Sequence, residues 1–291
     1  MLKIPQFGMR SLSRLCALSL VTAGLVVGIA ATPATALPAT VSPAGTGAAQ
    51  SSWSFKSAGD YVALGDSFTA GQGAPPYLPG PCLQSKYAGY PIIAAAVSPY
   101  RLVANKACSG ASVADVPAQL AGISPSTALV TITIGGIDAG STTVVQGCAP
   151  DPTAVVCQQA LNASGAQLAV LGPKLVGLYT AIAAALPRAK VVVLNYPLLF
   201  NPGVLPLGDL VNSSNVVLNS VIQGAVAATG NPRVTLVDVT QEFAGHGIGA
   251  RVPYVAYNPA DLLALPNFHP NALGNLLGYT GALANDGILR R

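Results

Sequence analysis

Charge is scarce in this chain. Lys, Arg, Asp and Glu together make up 8% of its 291 residues, and only two residues are His. The ten carboxylates are too few and too scattered for a metal cluster. There is no C-x-x-C pair and no histidine close in sequence to a cysteine, which disfavours a zinc site. No glycine-rich phosphate loop of the Walker type is present, so no cofactor is implied. Basic residues never form a run with interleaved aromatics, and nothing points to nucleic acid. So little charge implies a surface rich in Thr, Ser, Asn and Gly.

What charge there is sits partly at the start. Lys3, Arg10 and Arg14 precede an apolar run from about Leu15 to Ala31, and Ala34-Thr35-Ala36 follows with small residues around Thr35. That is the layout of a cleaved secretory signal, with cleavage expected after Ala36. The run is somewhat short for a membrane span and ends in small and turn-forming residues, so no stable membrane anchor is expected. Cys16 leaves with the signal. The remaining 255 residues carry 11 basic and 10 acidic groups, a net charge of about +1. They suffice for one large α/β domain. Residues 37–54, rich in Pro, Ala, Ser, Thr and Gly, read as a flexible lead-in, and the folded domain is expected over 55–291. Four cysteines remain: Cys82, Cys108, Cys148 and Cys157. An even count in an exported chain favours disulfides. Of the three possible pairings, Cys82–Cys108 with Cys148–Cys157 is favoured: the second closes a short loop, the first braces a segment following the first strand.

Short β-branched runs alternate with longer Ala- and Leu-rich stretches. Strands are predicted at Tyr61–Leu64, weakly at Leu102–Ala104, and at Leu129–Ile134, Val191–Tyr196 and Val234–Val237. Helices are predicted at Tyr87–Val97, Val113–Leu120, Cys157–Leu186 with a break or kink at Pro173, and Leu210–Ala228, with a last helix after Pro270. Runs that are apolar throughout fit strands buried on both faces of a parallel sheet, hence a three-layer α/β/α domain with five strands. In such sheets ligands bind beyond the carboxyl ends of the strands. That directs attention to Gly65-Asp66-Ser67, residues 106–112, residues 135–140, Asn195-Tyr196-Pro197, and Asn267-Phe268-His269-Pro270-Asn271.

The first of these is the most informative. An apolar strand runs into a glycine turn, with Ser67 where a helix should begin, so its hydroxyl lies at the sheet's carboxyl edge beside free backbone N–H groups. Those are the needs of an acyl-transfer nucleophile. Asp66 and Ser67 are equally good N-cap residues, so the turn alone leaves a structural cap open. A nucleophilic serine needs a base, commonly histidine. His269 precedes Pro270, a favourable first-turn residue, and should project from a loop. His246, in Phe243-Ala244-Gly245-His246, is the alternative, and either ring could be a structural histidine. For an oxyanion hole the backbone N–H of Ser67 and the Cys108-Ser109-Gly110 turn are candidates, since glycine lets the main chain approach a substrate closely.

Gly65-Asp66-Ser67-Phe68, Cys108-Ser109-Gly110, Gly135-Gly136-Ile137-Asp138 and Phe268-His269-Pro270-Asn271 together resemble the sequence blocks of the GDSL, or SGNH, hydrolases, in particular secreted actinomycete lipases and esterases. The resemblance spans Tyr61 to about Tyr279. It implies a flavodoxin-like α/β/α hydrolase that acts through an acyl-enzyme, with Ser67 as nucleophile, His269 as base, and the N–H groups of Ser67 and Gly110 as oxyanion donors. His246 is then non-catalytic. It further implies an extracellular enzyme acting on small-molecule or lipid esters, expected to be a monomer.

Two positions depart from the family pattern. Ile137 stands where the family has the asparagine that supplies a third oxyanion donor, and Asn195 is a candidate replacement from the next strand. Pro266 stands where the family usually has the aspartate that orients the histidine. The Pro266 carbonyl is the expected substitute, with Asp261 as an alternative, which makes a Ser–His dyad. These departures keep two other readings open: a secreted binding or surface protein with a decayed site, and a carbohydrate acetyl esterase.

Overall fold

The computed structural model describes residues 58–290. The expected signal over 1–36, the lead-in over 37–54 and the expected domain start at 55 lie outside the described residues. Five strands form one parallel sheet: β1 (Gly59–Gly65), β2 (Tyr100–Asn105), β3 (Leu129–Thr133), β4 (Lys190–Leu194) and β5 (Val234–Val237), in the order β2-β1-β3-β4-β5. β3 is buried at every position, and β1 and β4 nearly so, because each has neighbours on both sides and helices on both faces. β2 lies at an edge and buries no residue fully, which explains its weak sequence signal.

Side-chain alternation divides the apolar residues between two layers. Tyr61, Ala63, Val192 and Leu194 face one cluster, with Tyr90, Tyr279 and Leu283. Val62, Leu64, Val191 and Val193 face the other, with Leu171, Leu175, Ile182 and Ile222. The first layer contains α2 (Tyr90–Ala96) and, after a π-helical stretch over Gly274–Tyr279, α7 (Thr280–Asn285). The second is dominated by α5 (Val155–Ala185) and α6 (Pro206–Ala228). Two short helices, α1 (Ser67–Ala70) and α3 (Val116–Gln119), follow β1 and β2. The outcome is the three-layer α/β/α architecture.

Four details differ from the sequence expectation. α5 runs unbroken through Pro173, whose missing N–H falls on the exposed face of the helix, where Ala169 one turn earlier is also exposed. α6 starts at Pro206 rather than Leu210, with proline in the first turn, where its fixed φ suits a helix start. A further helix, α4 (Ser141–Cys148), has no counterpart in the prediction. Its Thr-Thr-Val-Val run is intrinsically poor in helix propensity, and it is held by burial of Val144 and Cys148 and by the Cys148–Cys157 disulfide to α5. The segment after Pro270 is partly π-helical. There the fully buried Asn275 side chain accepts the Tyr90 N–H at 2.9 Å and donates to the Pro270 carbonyl at 2.8 Å. By length and hydropathy α5 would suit a membrane span, but its Leu168, Leu171, Leu175 and Leu178 stripe packs into the core.

Strand order places the site. The chain passes from β1 to β2 on one side and then returns to β3 on the other, so β1–β3 is the topological switch point. A crevice opens beyond the carboxyl ends of strands there.

Candidate active site

Gly65 closes β1 with φ of +117°, and a Cβ there would overlap the Thr133 carbonyl oxygen, so only glycine fits this turn. Its N–H and carbonyl are both held by the Gln119 amide, at 2.7 and 2.9 Å. Asp66 is the N-cap of α1, its carboxylate accepting the Phe68 N–H at 3.0 Å. Capping therefore falls on Asp66, and the Ser67 hydroxyl is free for another partner. That partner is His269, with Oγ 2.8 Å from Nε2.

His269 lies on a loop bent by Phe268, whose φ of +62° is unusual for a side chain of this size. The bend is locked by reciprocal backbone hydrogen bonds with Ala256: Phe268 N–H donates to its carbonyl at 2.9 Å, and its N–H donates to the His269 carbonyl at 2.8 Å. The result turns the Asn267 carbonyl toward the ring, 2.7 Å from Nδ1. A carbonyl only accepts, so Nδ1 carries the proton and Nε2 presents its lone pair to Ser67. Burial pushes the imidazole pKa down to about 4, against the opposing pull of the Asn267 carbonyl, so the ring is neutral at pH 7.

This corrects the expected acceptor. The Pro266 carbonyl takes the His269 backbone N–H at 3.3 Å, and the ring is bonded one residue further on. The Asp261 carboxylate is exposed and accepts the Leu263 N–H at 3.1 Å. Asp261 contributes only its main-chain carbonyl, which accepts from Asn267 Nδ2 at 2.8 Å. Asn267 Oδ1 also accepts the Asn258 N–H at 2.7 Å, so the residue that orients the imidazole is itself held on two sides.

Ser67, Gly110, Ile137 and His269 line one cavity of about 290 Å³. Gly110 has φ of +78°. Its turn is fixed by the Cys108 N–H donating to the Gly65 carbonyl at 3.0 Å, the Ser109 N–H donating to the Cys82 carbonyl at 3.1 Å, and the Cys82–Cys108 disulfide. Among the described residues, neither the Ser67 nor the Gly110 N–H has an acceptor. Both disulfides follow the favoured pairing.

The Ile137 side chain offers no donor, and Asn195 does not replace it. Asn195 turns toward the end of β5, where Nδ2 donates to Asp238 at 2.9 Å and Oδ1 accepts the Val239 N–H at 2.9 Å. Its amide joins β4 to the loop after β5. His246 is likewise elsewhere, stacked on Tyr254 with Nδ1 2.9 Å from the Val252 carbonyl.

Sequence reasoning missed the support beneath Ser67. The buried Asp66 carboxylate accepts from Thr133 Oγ1 at 2.7 Å and from the Tyr196 hydroxyl, which in turn accepts the Gly136 N–H at 3.0 Å. Burial raises the Asp66 pKa to about 6, while the hydrogen bonds from Tyr196, Thr133 and Phe68 oppose the rise. This network ties the ends of β1, β3 and β4 together. The only sequence signal for it was a tyrosine beside Asn195 at a strand end. Among the described residues no group of three His, Cys, Asp or Glu side chains is placed to hold a metal ion.

A parallel α/β/α sheet with a serine bonded to a neutral histidine at its switch point defines a hydrolase-type site. Residues 63–277 match the GDSL-like lipase/acylhydrolase family, and the chain belongs to that family of carboxylic ester hydrolases. It is 35% identical to Lipase 1 of Streptomyces coelicolor over 248 residues, covering 82% of this chain and 91% of that protein. The crystal structure of the extracellular lipase from Streptomyces rimosus aligns with a TM-score of 0.70 and 33% identity, covering 78% of this chain and 99% of that one. Phospholipase A1 from Streptomyces albidoflavus NA297 aligns equally well, at 0.70 and 33%, covering 78% and 98%.

Proposed function

We propose that the chain is a secreted serine esterase or lipase working through an acyl-enzyme on Ser67. The observation that carries this is the 2.8 Å contact between Ser67 Oγ and a His269 Nε2 whose tautomer is set by the Asn267 carbonyl. Oγ attacks the ester carbonyl carbon as its proton passes to Nε2. The carbonyl oxygen becomes an oxyanion facing the free N–H groups of Ser67 and Gly110. Collapse expels the alcohol, which takes the proton from Nε2. Water then repeats the sequence on the acyl-enzyme, releasing the acid and restoring the serine.

The pair works as a dyad. A neutral carbonyl fixes the tautomer but stabilises the transient imidazolium less than a carboxylate would. The names of the relatives above, lipases and a phospholipase, one of them extracellular, support an ester substrate with an acyl chain and action outside the cell. Two disulfides support the same compartment.

Labelling with a fluorophosphonate probe tests the reading. The oxidised protein is expected to gain one phosphonyl adduct, located on the peptide containing Ser67, and Ser67→Ala to gain none. Absence of an adduct on the wild-type protein would overturn it.

A further inference from the structure

Gln72 follows α1 and touches three parts of the site. Its N–H donates to the Ser67 carbonyl at 3.1 Å, and its own carbonyl accepts the Tyr77 hydroxyl, so its main chain is held on both sides. The side chain then reaches across the cavity rim. Ser109 Oγ donates to its Oε1 at 2.5 Å, and its Nε2 donates to the Leu265 carbonyl at 2.7 Å. A carbonyl only accepts, so the amide has one orientation, oxygen toward Ser109 and nitrogen toward Leu265. Gln72, Ser109, Gly110, Leu265 and His269 all line the cavity that holds Ser67.

We infer that Gln72 is a positioning residue, which sets the separation of the Gly110 N–H and the His269 imidazole by clasping the two loops that carry them. The inference rests on the acyl-enzyme reading above. The first argument is that nothing else makes this link. Among the described residues no other hydrogen bond joins residues 106–112 to residues 258–271. The oxyanion turn is anchored from within by Cys82 and Gly65, but a Cβ built on Gly110 would meet nothing within 4 Å, so its outer flank is open. The base loop is anchored at Asn267 and Phe268, while Leu262, Leu263 and Leu265 before them are exposed and gain little from packing.

The second argument is chemical. The oxyanion forms against the Gly110 N–H while the proton passes to Nε2 of His269, so both groups must be in place at the same moment. Ile137 supplies no third donor from its side chain, and a displaced Gly110 would leave the Ser67 amide alone. A misplacement of about 1 Å can cost on the order of 100-fold in rate. The Cys82–Cys108 disulfide and the Asn267 hydrogen bonds limit the movement here, so loss of the clasp is expected to cost about tenfold.

Gln72→Met keeps an unbranched side chain of similar length and removes both polar ends. Its kcat is expected to fall about tenfold with KM within about twofold of wild type, because the clasp serves groups used in the transition state. A boronic acid, which forms a tetrahedral adduct on the serine, should bind about tenfold more weakly. Water replaces both hydrogen bonds at the rim, so the variant should fold, and Gln72→Ala carries the same test if it does not. Wild-type kcat and boronate affinity in a folded variant would overturn the clasp. Ser109→Ala removes one arm only. Added to Gln72→Met it should lower kcat no further, since the bond it deletes is already gone, whereas losses that multiply would overturn a clasp acting through Ser109.

Amide hydrogen exchange separates this outcome from failure of the acyl-enzyme reading. In Ser67→Ala protein, Gln72→Met should speed exchange over residues 106–112 and over residues 261–269 together. Unchanged exchange in both segments would overturn the clasp even if Ser67 proves to be the nucleophile. Undiminished hydrolysis by Ser67→Ala would overturn the acyl-enzyme reading and leave the exchange result standing.

Discussion

Asp66 accepts the Phe68 N–H at 3.0 Å, and Ser67, one residue on, places its hydroxyl 2.8 Å from Nε2 of His269. One side chain cannot both cap a helix and be held ready for a base. Here adjacent residues divide the two tasks, and Asp66 also receives Thr133 and Tyr196. Asp66→Ala should therefore cost more than a cap. It leaves two buried hydroxyls and an amide without their acceptor, a loss of about 2–4 kcal/mol. Thermal unfolding should show a clear drop in midpoint, and turnover should fall because the Ser67 turn loosens. Asp66→Asn keeps an acceptor oxygen and should fall between. A midpoint unchanged in Asp66→Ala would mean that the network does not hold the turn.

Asp66 and His269 also oppose each other as pH changes. The Asp66 pKa is about 6 when folded, against 3.8 as its ordinary value. Between these the folded state keeps a proton that the unfolded chain has lost, so stability falls as pH rises. His269 is at about 4 when folded, against 6.5. Between those the unfolded chain holds a proton that the folded state lacks, so stability rises with pH. From about pH 4 to 6 the slopes work against each other. Unfolding midpoints across that window should show Asp66→Asn gaining stability with rising pH more steeply than wild type, and His269→Ala losing it. If both variants track the wild-type profile, these two groups do not titrate as their surroundings imply.

The two disulfides brace different walls of the site. Cys82–Cys108 spans 26 residues and Cys148–Cys157 spans nine. Loop entropy alone assigns them about 3.5 and 2.6 kcal/mol. Replacing Cys82 and Cys108 by serine should give the larger loss of stability, and a loss of kcat as the Gly110 amide loses its fixed position. Replacing Cys148 and Cys157 should free α4, altering KM for acyl substrates more than kcat. Denaturant melts and steady-state kinetics on the two double variants check both statements; equal kinetic effects would count against separate roles.

How much of this was legible in the sequence depended on whether the signal was local. β1, β3 and β4 declared themselves because buried parallel strands are apolar throughout; β5, at one edge, still buries Val234 and Val237, whereas β2, at the other edge, buries no residue fully and was faint. α4 was invisible, since its β-branched residues are held helical by a disulfide and by packing. Ser67 and His269 were named from their turns. The acceptor for His269 was not, because every residue has a carbonyl and only the positive φ of Phe268 determines that Asn267, not Pro266, faces the ring. Asn195 misled for a related reason. Its strand end was placed correctly, but its side chain faces β5 rather than Ile137.

On the proposed mechanism, Ile137 is the point where the site has fewer donors than its chemistry can use. It lines the cavity with Ser67 and Gly110 and brings no N–H from its side chain. Loss of one oxyanion donor in a comparable site costs on the order of 100- to 1,000-fold in turnover. Ile137→Asn should recover part of this, because asparagine is slightly smaller, the position is only half-buried, and an amide there faces the cavity. A donor added to an unadapted wall is worth less than a native one, so a rise in kcat of about tenfold is expected, with little change in KM, because the donor acts on charge that exists only in the transition state. The effect should vanish in the Ser67→Ala background. A variant that is folded, labels with fluorophosphonate and turns over no faster than wild type would show that the Ser67 and Gly110 amides already suffice, or that the new amide bonds elsewhere. Competition with a boronic acid distinguishes these outcomes, since a productive donor tightens binding of the tetrahedral adduct whether or not chemistry limits turnover.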